Sequence, residues 1–181
     1  MDISSIREHI PDMHRMTAIE PIRKGFSFDG KFVLHGPDGR PAYVLRTAPL
    51  KETERKRREF DIVRRVYEAG VRTSAPVRFG TIEAADLCYM ILSYVEGEDA
   101  SDVLPTLTSD EQYRVGQEAG GELRRMHGLE APASLEAWPA RRMAKHKRQW
   151  ESYRNCGVKL PEEAAVLSFI EENAALMNGR P

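Results

Sequence analysis

The sequence predicts an α+β fold, an antiparallel sheet carrying one long helix and followed by a purely helical segment, and three observations predict it. Short apolar runs separated by Gly-bearing turns fill the chain up to Ser93. One long helical period, Lys51 to Ala69, interrupts them. Beyond Gly97 only helical periods occur. The change falls within LCYMILSYVEGEDASD, residues 87–102, where a dense apolar run gives way to acids and a glycine. A run of that length bounded by polar residues reads as a strand buried on both faces, and Gly97 releases the chain after it. The stretch therefore reads as a hinge, and clefts at such junctions are where small ligands sit.

The elements follow in order. Ile3, Ile6 and Ile10 lie at helical spacing, with Asp2 or Ser4 as caps and Pro11 as the stop. Thr17–Ile22 is a strand. Lys24-Gly25-Phe26-Ser27 is a Gly-Ser turn, Asp29-Gly30 a hairpin signal, and Phe32-Val33-Leu34 the returning strand. After the turn at Pro37-Asp38-Gly39, Ala42–Arg46 forms a third strand that ends in a cation. On the helix Lys51–Ala69, Phe60, Val63, Val66 and Tyr67 make the apolar face, Glu59 lies beside it, most other charges point away, and Gly70 ends it. Val77–Ile82 is the next strand. Past the hinge, Ser109 with Gln112 or Thr108 with Glu111 fits a capping box, opening a helix whose stripe is Val115, Ala119, Leu123 and Met126. Pro132 and Pro139 bracket a loop, Ala140–Arg154 is a basic helix, and Pro161 opens a last helix with Val166, Phe169, Ile170 and Met177 apolar.

Composition narrows the function classes. With 27 Lys+Arg against 28 Asp+Glu the net charge is −1, so bulk charge favours neither nucleic acid nor an anionic membrane. The basic run Arg141–Arg148 reads as a solvated helix face, since no aromatic or Gly-rich platform accompanies it. Two cysteines, Cys88 and Cys156, make no framework and no CxxC motif, which suits reduced thiols in the cytoplasm. The polar N-terminus lacks the apolar core of a signal peptide, and no apolar segment is long enough to span a bilayer. Trp138 and Trp150 read as packing residues, Cys88 as a small buried hydrophobe, and His127 as a helix-end residue.

A Gly-bearing hairpin, a strand carrying a cation, a helix carrying an acid and a buried strand leading to a hinge are the parts of a nucleotide pocket. The segments IRKGFSFDGKFVL, AYVLR, KRREFDIVRRVYEAGV, CYMILSYVEGEDA and EQYRVGQEAGGELRRMHGL, in that order, resemble the aminoglycoside phosphotransferase family, which has the protein-kinase-like fold. The resemblance runs from about Thr17 to Pro181. It implies an antiparallel-sheet lobe over 1–95 (with its helix at 51–69), a hinge at 96–103 and a partial helical lobe over 104–181. It places Gly25, Ser27 and Lys31 around the phosphates of ATP, where glycine lets backbone N–H groups approach an anion. Arg46 stands where the fold more often has Lys, reaching the phosphates and pairing with a helix acid, here Glu59. Ser93, Tyr94 and Val95 offer main-chain groups to the adenine edge, with Ile91 and Leu92 near the base. Standing alone, Gly25 and Ser27 would read as an ordinary turn, and Arg46 and Glu59 as surface charges.

The same resemblance implies a base that deprotonates a substrate hydroxyl, and an Asn and an Asp that hold Mg²⁺, carried in a segment like HGDxxxxN and a later Asp. The chain has no His-x-Asp triplet and no Asp after Asp110. The expectation is that the catalytic loop and metal ligands lie beyond Pro181. The chain would then be the N-terminal part of an ATP-dependent kinase acting on a hydroxylated small molecule, inactive by itself, with nucleotide as partner and neither nucleic acid nor membrane. The alternative is a non-catalytic nucleotide-binding or protein-interaction module derived from that fold.

Overall fold

A computed structural model of the chain describes residues 4–25, 27–132 and 135–178. Two units divide it, Met1–Leu129 and Glu130–Pro181. In the first, five strands make one antiparallel sheet: β1 (Ala18–Pro21), β2 (Gly30–His35), β3 (Pro41–Pro49), β4 (Pro76–Ile82) and β5 (Leu87–Ser93). Their order across the sheet is β1-β2-β3-β5-β4. The α+β expectation holds, with the antiparallel sheet and single long helix of a protein-kinase-like small lobe.

Side chains alternate between the two faces of a strand, and both faces here are covered. On one, Leu34, Leu45, Tyr89 and Ile91 are buried with Ile6, Ile10, Met13 and Met16 of the N-terminal segment. On the other, Met90 and Leu92 bury Phe60 of the helix α2 (Thr53–Glu68), with Val63 and Phe79 packed alongside. β5 is thus apolar at successive positions because each neighbour feeds a different core, and its first six residues are all buried.

Several expected boundaries move. The N-terminal helix, α1, is one turn, Ser4–Arg7. Instead of stopping the chain's helical course, Pro11 opens a 3₁₀ turn to Arg15. Arg7 holds the two together, its Nε donating to the Met13 carbonyl at 3.2 Å and its Nη2 to the Met16 carbonyl. Ser4 is already helical; Asp2 and Ile3 lie outside the described residues. β3 does not end at Arg46 but runs three residues further, placing that cation inside the strand. A 3₁₀ turn, Leu50–Glu52, precedes α2, and Gly70 ends the helix in the left-handed region at φ +76°. Of α2's expected apolar face, Tyr67 stays exposed.

Half of the expected linker 96–103 is helical: α3 (Ala100–Val103) is capped by Asp99, whose carboxylate accepts from the Ser101 amide at 2.9 Å. In α4 (Ser109–His127) the capping box is Thr108 with Glu111, because Gln112 donates instead to the Leu104 and Leu107 carbonyls. Arg72, between α2 and β4, ties α4 to the sheet. Its Nε donates to Glu122 at 2.7 Å, its main-chain N–H donates to the same carboxylate at 3.0 Å, and its Nη2 donates to Glu118 at 3.1 Å. These ties explain why α4 groups with the sheet.

The second unit holds α5 (Trp138–Asn155) and α6 (Glu163–Glu172). Pro139, expected in a loop, sits in the first turn of α5, where its missing N–H costs nothing. Tyr153 organises the unit. Its ring stacks on Trp150 with centroids 5.1 Å apart, and its hydroxyl accepts from the Leu160 amide at 2.8 Å and donates to Glu163 at 3.2 Å. Among the described residues no helix is long and apolar enough to cross a membrane.

Candidate functional site

Arg46 and Glu59 meet because of two periodicities. On β3, Tyr43 and Leu45 face the N-terminal core, so Arg46 faces α2. On α2, Lys56, Phe60 and Val63 repeat at helical spacing toward the sheet, and Glu59 stands one step from that stripe. Arg46 Nη1 lies 2.7 Å from Glu59 Oε1.

Two further residues close the arrangement, and sequence reasoning gave neither a role. Asp29, read as half of a hairpin turn, is not at the tip of a tight turn. Gly30 already begins β2, and the β1–β2 connection is the longer stretch 22–29. The Asp29 side chain turns inward with 8% exposure, and its Oδ2 accepts from Arg46 Nη2 at 2.6 Å. Lys56 is the more deeply buried at 5% exposure, and its Nζ donates to the same Asp29 oxygen at 2.5 Å and to Glu59 Oε2 at 3.1 Å. Two cations and two carboxylates therefore alternate in a ring without net charge, in which each group touches both of opposite sign. Burial raises the Asp29 carboxyl's pKa, but hydrogen bonds from Lys56 and then Arg46 outweigh it and hold the group below its ordinary value. Arg46 Nε is buried with no hydrogen-bond partner. Beside Asp29, Arg46 and Lys56, a void lined by Thr47, Ala48, Cys88, Tyr89 and Met90 is too narrow for a water molecule.

The signal for Lys56 was in the sequence: it lies four residues before Phe60 and seven before Val63, on the stripe that meets the sheet. No comparable signal marked Asp29, because Asp-Gly is also a common turn pair.

The β1–β2 connection that ends in Asp29 also holds Gly25 and Ser27. Gly25 has φ +103°, a conformation that favours glycine. Lys31, opposite Arg46 in the β2–β3 register, reaches back so that its Nζ donates to the Lys24 carbonyl at 2.5 Å. A Cβ on Gly25 would lie 2.7 Å from that Nζ. Ser27 is exposed, and Phe26 lies outside the described residues. Lys24 extends from the loop to Asp102 at 2.7 Å and Asp99 at 3.2 Å, linking it to the segment after the hinge.

At the hinge the three expected residues differ. The Ser93 amide donates to the Ala75 carbonyl at 2.8 Å and the Tyr94 amide to the Ala42 carbonyl at 2.9 Å, so both N–H groups are used inside the sheet. Val95 is exposed where regular structure ends. The structure thus brings Arg46 and Glu59 together, ties Lys31 of β2 to the loop, and separates Val95 from Ser93 and Tyr94 in what each can offer. Among the described residues no group of three or more His, Cys, Asp or Glu is arranged to hold a metal ion.

No curated protein matches the chain in sequence. The sequence pattern described as the phosphotransferase enzyme family matches residues 18–181, from the first strand of this sheet through the helices that follow it. With a match over nearly all of its length, the chain belongs to that phosphotransferase family.

Proposed function

We propose that the chain binds ATP on the α2 face of its sheet and serves as the nucleotide-binding part of a kinase that phosphorylates a hydroxyl of a small molecule, with aminoglycosides as the acceptor class. The observation that carries this reading is the Arg46–Glu59 ion pair, a strand cation held by a helix acid. ATP would supply the transferred γ-phosphoryl group. The chain's own residues would do the rest: backbone N–H groups near Gly25 and Ser27 approach the phosphates, Arg46 contacts them with its planar fork, and Glu59 fixes that fork. Main-chain groups of Val95 are the donors we assign to the adenine edge, since those of Ser93 and Tyr94 are taken. Lys31 supports the loop through the Lys24 carbonyl. ATP and reduced thiols both suit the cytoplasm.

These 181 residues contain no Asp after Asp110. We therefore assign them binding without phosphoryl transfer, the base and the Mg²⁺-holding acids being supplied by residues other than these. Calorimetric titration of the chain with ATP tests the reading. Saturable binding is expected, weakened at least roughly tenfold by Arg46→Ala through loss of a charge-assisted contact. Absence of binding, or an unchanged affinity in the folded variant, would sink it. ADP release in the presence of an aminoglycoside would overturn the assignment of binding alone.

A further inference from the structure

We propose that Arg46 and Lys56 together form a two-cation phosphate site in which the Asp29 carboxylate stands as a built-in placeholder that an incoming phosphate oxygen displaces. The proposal rests on the nucleotide reading above and adds to it two residues, Lys56 and Asp29.

The geometry is that of an anion site already filled. A single oxygen, Asp29 Oδ2, accepts from Arg46 Nη2 at 2.6 Å and from Lys56 Nζ at 2.5 Å. A phosphate oxygen is recognised by the same pair of contacts, a guanidinium N–H and an ammonium N–H converging on one acceptor. Lys56 is already fixed in the geometry this needs. It sits on α2, its side chain is nearly all buried, and Glu59 orients it from the other side at 3.1 Å. Arg46 is held likewise by Glu59 at 2.7 Å. Neither cation has to be ordered when a ligand arrives, which removes part of the cost of binding.

Asp29 differs from the other three members in where it is carried. Arg46 lies inside β3 and both Lys56 and Glu59 on α2, whereas Asp29 ends the 22–29 connection, immediately before β2. It can leave with that loop while its partners stay. Because Asp29 Oδ2 fills the position between the two cations and the void beside it is too narrow for a water, ligand and carboxylate exclude each other. Burying two cations against the single charge of Glu59 is costly, so the placeholder maintains the site in the absence of nucleotide. When phosphate enters, Asp29 goes to solvent, and the charge it balanced is balanced by the ligand.

The test measures binding of inorganic tripolyphosphate and of ATP to the 181-residue chain and to Asp29→Asn, together with the ¹³C shift of the Asp29 side-chain carboxyl during titration of the unaltered chain. The expected results are tighter binding to Asp29→Asn by roughly 10- to 100-fold, the range of one competing charge-assisted contact, and a saturable change in the Asp29 carboxyl signal. Lys56→Met should lose affinity by a similar factor, and Lys56→Arg should recover part of it. If ATP binds but the Asp29 signal does not move, the placeholder idea fails while the nucleotide reading stands, whether or not the variants fold. If tripolyphosphate displaces Asp29 and ATP binds no more tightly than tripolyphosphate, the phosphate site stands and the nucleotide reading fails. Binding of neither ligand would remove both.

Discussion

At the scale of single residues, Arg46 is where the chain departs from the lysine more usual in this fold, and the ring accounts for the difference. Its two terminal nitrogens bond two different carboxylates, Nη2 to Asp29 and Nη1 to Glu59. An ammonium in that place is a point charge on a shorter stem. We expect Arg46→Lys to keep the charge, lose one of the two bonds, and lower stability by about 1–2 kcal/mol, read from the urea midpoint. Gly25→Ala should cost about 1–2 kcal/mol from its positive φ. Lys31 can swing away from the added methyl group, so the larger effect should be weaker ATP binding as the Lys24 clamp is lost. Part of the site was legible from residue types and order, since Arg46 and Glu59 are where alternation and helical spacing put them. Asp29 was not, because nothing in an Asp-Gly pair says whether the carboxylate faces water or turns in; its partners come from segments 17 and 27 residues away.

At the scale of elements, the two cores set the magnitudes. Ile91 on β5 is fully buried, and Ile91→Ala should cost roughly 2–5 kcal/mol through lost burial and a cavity. Ile62 on the outer face of α2 is exposed, and Ile62→Ala should stay within about 0.5 kcal/mol. Equilibrium unfolding of both variants checks the assignment of faces. The tie of α4 to the sheet should depend on pH. The Glu122 carboxyl falls from an ordinary value of 4.5 to about 2, first through the Arg72 amide and then through its guanidinium. A carboxylate depressed in the folded state contributes its stability above pH 4.5 and loses it as the pH falls toward about 2. Amide exchange along α4 should therefore quicken over that window more than exchange in β5, and Arg72→Ala should remove the step. High salt should also weaken the tie, as Arg72 is exposed. Element types were readable from apolar periods. Their ends were not, because those depend on single side chains such as Arg7 and Gln112 that choose among several carbonyls.

At the scale of the whole molecule, the sheet with α2 was legible because β2 and β3 follow clear turn signals and β5 carries a dense apolar run. The helical part was legible in kind but not in packing. Val115, Leu123 and Met126 of α4 and Val166 and Phe169 of α6 form the expected apolar positions, yet all stand substantially in solvent. A helical period tells which residues share a face and nothing about what meets it. The neutral ring at positions 29, 46, 56 and 59 also bears on how this chain can change over generations. Losing any one member leaves one unbalanced charge beside the largely buried Asp29 and Lys56, so solitary replacements there should be filtered out. Descendant sequences should instead keep all four charges or exchange them for residues of the same sign, and a laboratory lineage forced to discard Asp29 should recover stability most readily by regaining an acid at that position.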